Sequence, residues 1–476
     1  MRVVVVGGGA AGSLVLLHLA RGAVAHRDGR GGPLEPVDVV LLDPGEQVSG
    51  AAFSTTDPRH LLNVPASGMS VDAEHRFDFV DWCVTQGLLA EGAAPYWFAP
   101  RREWARYLRE RLAAALADAG DLVSVRHVRC AATAVDRAGD GVRVTLADGA
   151  VVDGDRLVLA TGLPSVGEDW APRDLTGQER YVADPWLPGA LAPVVDGGGD
   201  VVVVGTGLTM VDVAVSILGS SPERRVVACS RAGRLPQPHA GSYLGEVVPD
   251  VTGWGGTLAE VRAAVAEHLD DVVATRGDWR PAVDGIRYRV ADLWARLDAA
   301  DRATFLREVA GTWGVHRHRM PPSTASVVDE AAEEGRLEVR AGGVVGVEPA
   351  RDGWVVELAG GERVTARWLV NCTGPRSDLR RLGDPVLDSL LGLDGTSALA
   401  ATDPLGLGLA TLDGRVVDAT GDLQPVWTLG ALRRGELWES TAIPEIRVQA
   451  ARVAADLLDE AVNAAAPLGR LQHQPG

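Results

Sequence analysis

Residues 3–12 open the chain with four valines and a glycine-rich turn. The valines at 3–6 form an apolar run typical of a strand buried on both faces. Gly7, Gly9 and Gly12 follow in the spacing Gly-x-Gly-x-x-Gly, and an apolar helical stretch comes next. Between a strand and a helix, this spacing makes a tight turn and lets a pyrophosphate approach the backbone at the helix N-terminus. The stretch therefore predicts a dinucleotide site.

A second apolar strand, at 37–43, ends in Asp43. An acid at this strand end hydrogen-bonds the adenosine ribose hydroxyls in such sites. Asp43 lies further from Gly12 than the usual spacing of about 20 residues. We expect residues 22–37, rich in glycine, arginine and proline, to be a surface loop that lengthens this connection. The alternative interpretation of Asp43 is a turn residue before Pro44.

Length, charge and cysteine use limit the possible functions. The 476 residues allow two or three domains. The formal net charge of −18 argues against a nucleic-acid or membrane partner. We expect no transmembrane span and no signal peptide, and hence a cytoplasmic protein. The four cysteines form no Cys-x-x-Cys pair, so neither a redox dithiol nor a metal site is expected.

Residues 201–212 repeat the opening pattern. Four valines precede Gly205-x-Gly207, and a helical stretch follows. Met210 stands at the third glycine position, so a degenerate domain without a ligand is the alternative interpretation. The repeat nevertheless predicts a second dinucleotide-binding unit in the same chain.

The next strand of the second unit, at 225–231, distinguishes the two cofactors. It ends in Ser230-Arg231, where an NAD site would carry an acid. An arginine at this place, with Arg234 nearby, fits the 2′-phosphate of a ribose. The pattern therefore favours NADPH over NADH in the second unit.

Other segments suggest how the units end and what joins them. Strand patterns at 122–160 and 337–358 precede two hydrophobic strands, each followed by a Thr-Gly turn at 161–162 and 373–374. Residues 257–335 are largely helical in pattern. They include 316–319, where histidine and arginine alternate. An anionic cofactor or substrate is one expected partner of this stretch, and a charged surface turn or a metal site are the alternatives.

Two further helices carry candidate ligand contacts. A helix starts at Arg101, with Arg102 also in its first turn. These two arginines are candidates to contact a ligand phosphate or the substrate. The alternative is that both are simply solvated. We expect Ser440 or Thr441 to cap a last helix reaching about residue 458. Its N–H groups could face an electron-rich ring edge.

These motifs resemble those of the two-dinucleotide-binding flavoproteins. Within them, the chain is similar to the FAD/NAD(P)-binding group that includes FAD-dependent urate hydroxylase and flavin-dependent aspartate N-monooxygenase. The resemblance rests on the stretches 60–70, 205–212, 316–321 and 430–445. It spans nearly the whole chain, and its motifs are specific to the group but not to one substrate.

The resemblance implies FAD on the first unit and NAD(P)H on the second. The expected fold is α/β, with two Rossmann-like (three-layer ββα) dinucleotide-binding domains, the second inserted into the first. The FAD-binding domain is expected at 1–195 and 366–476. The NAD(P)H-binding domain is expected at 198–365, with a helical insertion at about 257–335.

Motifs and resemblance together give the expected cofactor-binding residues. No catalytic residue and no metal ligand is assigned. The expected residues are Gly7, Gly9, Ala11, Gly12, Asp43, Asn63, Met69, Arg102, Val128, Thr161, Gly162, Gly205, Gly207, Thr209, Ser230, Arg231, Gly374, Gly430, Ala442 and Ile443.

The first functional hypothesis is an FAD-dependent, NADPH-consuming monooxygenase. NADPH reduces the flavin, O2 adds at flavin C4a to give a (hydro)peroxyflavin, and one oxygen passes to a small polar substrate. The arginines at 101, 102, 317 and 319 suit an anionic substrate. An NAD(P)H-dependent flavin reductase or oxidase that passes electrons to a quinone or protein is the second hypothesis. A redox-sensing flavoprotein without turnover is the third. Substrate identity and oligomeric state are left open.

Overall fold

The computed structural model describes residues 1–29, 33–48, 50–162, 166–376 and 378–465. The strands are β1 (Arg2–Val6), β2 (Val37–Leu42), β3 (Val123–Val128), β4 (Ala132–Ala138), β5 (Gly141–Leu146), β6 (Val151–Gly154), β7 (Arg156–Leu159), β8 (Tyr181–Val182), β9 (Val201–Val204), β10 (Val226–Ser230), β11 (Leu337–Ala341), β12 (Val344–Ala350), β13 (Gly353–Leu358), β14 (Arg363–Ala366), β15 (Trp368–Asn371), β16 (Thr411–Leu412), β17 (Arg415–Val417) and β18 (Leu423–Thr428). The helices are α1 (Ala10–Asp28), α2 (Asp78–Thr85), α3 (Arg101–Ala119), α4 (Ala192–Asp196), α5 (Leu208–Leu218), α6 (Leu258–Arg276), α7 (Arg280–Ile286), α8 (Val290–Arg296), α9 (Ala299–Glu308), α10 (Ala310–Arg317), α11 (Pro322–Glu333), α12 (Pro385–Leu390), α13 (Arg434–Leu437) and α14 (Ile443–Ala465). Within the described ranges, none of these helices is long and apolar enough to cross a membrane.

The first unit is built on a seven-stranded sheet in the order β16-β17-β18-β7-β1-β2-β3. Its five strands from β18 to β3 are parallel. Helices α1, α3 and α14 pack on one face. The antiparallel sheet β4-β5-β6 and α12 cover the other face. The valines of β1 are buried because both faces of the sheet are covered. This is the three-layer arrangement expected from the sequence.

Helix α1 is longer than the sequence pattern indicated. It continues to Asp28, so the loop expected at 22–37 was wrong for residues 22–28. Gly22 lies against α14, and a Cβ atom on Gly22 would sit 2.5 Å from Leu458 Cδ1. The glycine therefore lies inside a helix, where its missing side chain lets α1 and α14 approach each other.

The second unit repeats the three layers on a smaller scale. Its parallel sheet has the order β11-β10-β9-β15-β8. Helices α4, α5 and α11 pack on one face, and the antiparallel sheet β12-β13-β14 covers the other. Both units are therefore α/β, with parallel sheets of the Rossmann type.

Strand pairing moves the boundaries between the two units. The sequence assigned 166–195 and 366–371 to the first unit. However, β8 and β15 lie within these segments and pair in the second sheet, where β15 is bonded to β9. Because a strand belongs to the sheet that satisfies its backbone hydrogen bonds, we propose a second unit at 166–375. Among the described residues, the first unit then comprises those within 1–162 and 376–465.

The helical insertion is also shorter than the expected 257–335. Helices α6 to α10 form a group with its own apolar core. Helix α11 instead packs against α5 and β11 as the crossover helix of the second sheet. The core of the insertion includes Trp438, which stacks on Trp294 with ring centroids 5.1 Å apart. The insertion is thereby docked on the C-terminal part of the first unit.

A buried polar network joins the first unit to helix α5. Arg101 donates to Asp212 Oδ2 at 2.8 Å, and both side chains are at most 14 % exposed. His60 Nε2 lies 2.8 Å from Ser216 Oγ, which donates to Asp57 at 2.6 Å. Burial lowers the pKa of His60, so the imidazole is neutral near pH 7. These contacts fix the second unit against the loop before α3.

Breaking the Arg101–Asp212 pair should destabilise the chain strongly. The substitution Arg101→Ala leaves a buried carboxylate without its partner, which costs about 3 kcal/mol or more. Thermal unfolding would show a clear fall in Tm. The matched control is Arg109→Ala on the exposed face of the same helix. Equal Tm values for the two variants would contradict a stabilising role for the pair.

Candidate functional site

The first glycine-rich turn is shaped by two close backbone approaches. Gly7 has φ +105°, and a Cβ atom there would lie 2.5 Å from the Ala160 carbonyl oxygen at the end of β7. A Cβ atom on Gly12 would lie 2.0 Å from the Gly7 carbonyl oxygen. No residue with a side chain fits either place without moving the backbone. Helix α1, with Ala11 in its first turn, is thereby held directly over the end of β1.

Asp43 lies beside this turn, at the carboxyl end of β2. Its carboxylate accepts hydrogen bonds from Gly8 N at 2.6 Å and Gly45 N at 2.7 Å. The Asp43 N–H donates to the Val128 carbonyl oxygen at the end of β3, at 3.2 Å. Asp43 and Val128 therefore sit at the sheet edge where the adenosine of a dinucleotide lies in this fold. This arrangement fits the adenosine half of FAD.

The second glycine-rich turn has the same geometry. Gly205 has φ +106°, and a Cβ atom there would lie 2.3 Å from the Cys372 carbonyl oxygen at the end of β15. A Cβ atom on Gly207 would meet nothing within 4 Å, so the space above this residue is open. Thr209 lies in the first turn of α5, and Met210 is fully buried beneath it. The turn keeps the shape of a dinucleotide site although the third glycine is absent.

Helices α1 and α5 begin at the two glycine-rich turns without a side-chain cap. Gly9 precedes α1 and Gly207 precedes α5, and neither offers a side-chain acceptor. Ala442 precedes α14, and the Ser440 hydroxyl is buried without a hydrogen-bond partner. The expected cap by Ser440 is therefore wrong. The first N–H groups of an uncapped helix are donors for an anionic or electron-rich ligand.

The surface helix α6, in contrast, starts with a side-chain cap. Thr257 caps α6 and forms a reciprocal capping box with Glu260. Helices α2, α3 and α11 also begin without a side-chain cap, so a missing cap is not by itself specific to a ligand site. At α1 and α5 it coincides with a glycine-rich turn in which a Cβ atom on Gly7 or Gly205 would clash with the neighbouring strand. The residues present therefore fit FAD on the first unit and a second dinucleotide on the other.

Only some of the residues expected to bind the cofactor ring lie near one another. Gly430 has φ +70° and donates its N–H to Gln449 Oε1 at 2.9 Å, which ties it to α14. Asn63 lines the large cavity described below, whereas Met69 is 2 % exposed in the core of the first unit. Arg102 is 44 % exposed and pairs with the buried carboxylate of Glu103.

The remaining expected residues lie at strand ends. Thr161 and Gly162 follow β7, and a Cβ atom on Gly162 would meet nothing within 4 Å. Gly374 follows β15, and its carbonyl oxygen accepts a hydrogen bond from Gly167 N. This contact lies where the chain returns from the second unit to the first. Ser230 ends β10 and its hydroxyl lies 2.8 Å from that of Thr206.

A cavity of about 640 Å³ lies where the two units and the insertion meet. The first unit contributes residues within 63–68 and 437–449, and the second contributes 239–246. The insertion contributes residues within 280–291. The start of α14, with Ile443 at its first position, borders the cavity. We call it the central cavity.

Several arginines expected to meet an anionic substrate are already paired. Arg317 Nε donates to Glu439 Oε2 at 2.9 Å. Although burial opposes ionisation, Arg317 lowers the pKa of Glu439. Arg319 donates to Asp284. Arg101 is paired in the network described above. The expectation that these three cations are free for a substrate is corrected, because carboxylates of the same chain neutralise them.

The sequence pattern did not single out two charged residues on α14. In the described part of the chain, no carboxylate lies within 4.0 Å of Arg447. Its NH1 donates to the Ser70 carbonyl oxygen at 2.8 Å, and its Nε is buried without a partner. Glu445 Oε1 accepts from Arg287 at 2.6 Å, while its Oε2 is buried without a partner. The only hint in the sequence was their position in the first turns of the last helix.

Burial and neighbouring charge both act on Arg447. Burial lowers the pKa of its guanidinium, and the nearby Arg287 lowers it further. A buried cation in such surroundings is stabilised by an anion. At the central cavity, Arg447 Nε, Glu445 Oε2, Arg317 NH2 and Arg319 Nε are thus buried without a hydrogen-bond partner. Among these three arginines in the described part of the chain, Arg447 is the one without a carboxylate within 4.0 Å.

His239 is a neutral link between the second unit and Asn63. Burial, followed by the charge of Arg319, lowers the pKa of His239 to about 3. Its Nε2 lies 3.0 Å from the Asn63 carbonyl oxygen, which only accepts, so Nε2 carries the proton. Its Nδ1 then accepts from the Tyr96 hydroxyl at 3.3 Å. The imidazole thereby holds Asn63 at the wall of the central cavity.

The fold and the paired turns define a protein with two dinucleotide-binding domains. Residues 4–164 match the model of a family described as FAD-NAD(P)-binding, which assigns the N-terminal third of the chain to that class of domain. No curated protein sequence matches the chain significantly.

Solved structures share the whole fold at low sequence identity. L-lysine 6-monooxygenase from Pseudomonas syringae has a TM-score of 0.60 and 19 % identity, covering 97 % of this chain and 99 % of that chain. The reduced form of ornithine hydroxylase from Pseudomonas aeruginosa has a TM-score of 0.61 and 17 % identity, covering 96 % of this chain and 98 % of that chain. An ornithine N-hydroxylase from Kutzneria sp. 744, with reduced FAD, NADP⁺ and L-ornithine, has a TM-score of 0.57 and 17 % identity. The match covers 96 % of this chain and 99 % of that chain. This chain therefore has the two-domain fold of these flavin monooxygenases.

The substitution Gly12→Ala should abolish retention of FAD. The added methyl group would lie 2.0 Å from the Gly7 carbonyl oxygen, so α1 must leave its place above the turn. We expect purified protein without visible flavin absorbance. The control Gly311→Ala adds a methyl group that meets nothing within 4 Å, and it should keep the flavin. A Gly12→Ala protein as yellow as the control would refute the assignment of this turn.

Proposed function

We propose that this protein is an FAD-dependent, NADPH-using monooxygenase that hydroxylates a small polar substrate. Bound FAD would supply the redox chemistry, by accepting a hydride from NADPH and activating O2. The chain supplies two glycine-rich turns for the dinucleotides and a cavity beside the start of α14. Its partners would be the substrate and O2, and we propose the cytoplasm as its location.

The unpaired Arg447 is the observation that carries the proposal for the substrate. A half-buried guanidinium that has no carboxylate partner, and whose Nε is buried without a hydrogen bond, favours a ligand with an anionic group. Glu445 Oε2, two residues away on the same helix, can accept a hydrogen bond from an ammonium or amine. A small molecule that carries both a carboxylate and an amino group satisfies both side chains. We therefore propose an amino acid or a close relative as the substrate.

The structural neighbours support an amine as the group that is hydroxylated. Two of them are an L-lysine 6-monooxygenase and an ornithine N-hydroxylase, whose substrates carry an amino group and a carboxylate. In this chain, the same two groups are matched by Glu445 and Arg447. The helices of the insertion form one wall of the cavity.

The neutral His239 would act as a positioning residue. Its Nε2–H fixes the Asn63 carbonyl oxygen, and its Nδ1 accepts from Tyr96. Because the pKa of His239 is about 3, this arrangement persists throughout the neutral pH range. Asn63 is thereby held beside α14 without a change of charge in the cavity.

Substrate-stimulated NADPH oxidation tests the proposal. The purified protein should be yellow, and a panel of amino acids and simple amines should contain a compound that accelerates NADPH consumption. Mass spectrometry should then detect that compound with one added oxygen atom. Hydrogen peroxide as the sole product with every compound would favour an oxidase. Electron transfer to a quinone without an oxygenated product would favour a reductase.

The substitution Arg447→Met should raise the KM for the stimulating substrate about 10- to 100-fold, because a hydrogen bond to a charged group is lost. The KM for NADPH should stay the same. The control Arg452→Met makes the same change on the same helix, at a side chain that is 63 % exposed and does not line the cavity, and should leave both constants unchanged. An unchanged substrate KM in Arg447→Met would remove this residue from the proposed site.

A further inference from the structure

Helix α10 lies between two cavities. Arg317 and Arg319, at and just after its end, line the central cavity. His316, the preceding residue, lines a different cavity of about 560 Å³. Neighbouring residues on a helix point in different directions, so one short segment serves both spaces. The alternation of histidine and arginine at 316–319 thus corresponds to two different surroundings.

The second cavity lies at the edge of the second unit. Its walls come from the loop after β10, including Gly233 and Arg234, from Val339 on β11, and from Thr312 and His316 on α10. The end of the second strand in such a unit is where the adenosine ribose of a dinucleotide lies. Arg231, which the sequence favoured for the 2′-phosphate, is exposed and does not line this cavity.

Two side chains of this cavity are held by the same residue of α10. Arg234 NH1 donates to the Thr312 hydroxyl at 2.7 Å. His316 Nδ1 lies 2.8 Å from the Thr312 carbonyl oxygen. Since a carbonyl oxygen only accepts, Nδ1 carries a proton. The ring of Trp279 packs against the imidazole at 5.1 Å, which restricts its rotation.

This arrangement leaves donors for an anion. His316 Nε2 has no hydrogen-bond partner among the residues that the structure describes. Because Nδ1 holds the proton of the neutral ring, Nε2 donates only in the imidazolium form, which an adjacent anionic oxygen stabilises. Arg234 uses NH1 for its hydrogen bond to Thr312, so the other N–H groups of its guanidinium can donate to an anion. The Arg234 guanidinium and the His316 imidazole thus line one cavity side by side, each bonded to Thr312.

We propose that Arg234 and His316 bind a phosphomonoester, the 2′-phosphate of NADPH. This inference rests on the proposed use of NADPH, and it adds that the helical insertion supplies half of the phosphate site. Binding would then bridge the second unit and α10. Because the next residues of the same segment line the central cavity, the nucleotide would also stabilise the wall of the substrate site.

Binding of nucleotide fragments to the FAD-loaded protein tests this site without measuring turnover. Isothermal titration calorimetry compares adenosine 2′,5′-bisphosphate with adenosine 5′-monophosphate, which lacks only the 2′-phosphate. We expect the unaltered protein to prefer the bisphosphate. His316→Ala and Arg234→Ala should each weaken bisphosphate binding about tenfold or more, as loss of a bond to a charged group does. Binding of the monophosphate should not change.

The matched control is Arg231→Ala, which removes the exposed arginine outside the cavity and should leave the preference intact. His316→Gln, which keeps a polar side chain, provides a second variant if the alanine variant loses its FAD. A full preference for the bisphosphate in both His316 variants would overturn the inference while leaving NADPH use in place. The same holds if only Arg231→Ala abolishes the preference. No preference in the unaltered protein would overturn the inference and the assignment of NADPH together.

Discussion

The close contact between a glycine and the carbonyl of the neighbouring strand underlies both halves of this structure. Gly7 packs on the end of β7, and Gly205 packs on the end of β15, each with a positive φ and no room for a Cβ atom. Each contact sets the turn so that the following helix starts without a side-chain cap. The free N–H groups of α1 and α5 are a consequence of this packing. The shape of both glycine-rich turns depends on it.

Ion pairing determines which charged side chains at the central cavity are available to a ligand. The central cavity is rich in arginine, but most of these side chains are matched by carboxylates such as Glu439 and Asp284. Among the cavity residues with a buried group that lacks a hydrogen-bond partner, Arg447 is the arginine without a carboxylate beside it, and Glu445 keeps one oxygen unbonded. A count of charges along the chain does not reveal this difference, since ion pairing depends on distance rather than composition. The specificity proposed here follows from what remains unpaired.

Sequence reasoning succeeded where a local pattern determines a local structure. The valine runs predicted β1 and β9, and the glycine spacings predicted the turns that follow them. It failed where a contact joins distant segments. Gly22 was taken for the start of a loop, although it allows α1 to pack on Leu458 of α14. Helix α11 was counted in the insertion, although it packs under the second sheet.

The sequence by itself determined the two dinucleotide-binding units and their order, because a buried strand followed by spaced glycines admits one compact geometry. The tertiary structure decided where the units divide, since backbone pairing placed β8 and β15 in the second sheet. It also decided which charged residues are available. Arg101 and Arg317 resembled ligand contacts in the sequence, yet they are neutralised by Asp212 and Glu439 from remote segments. Such pairings exist only once the folded chain brings these segments together.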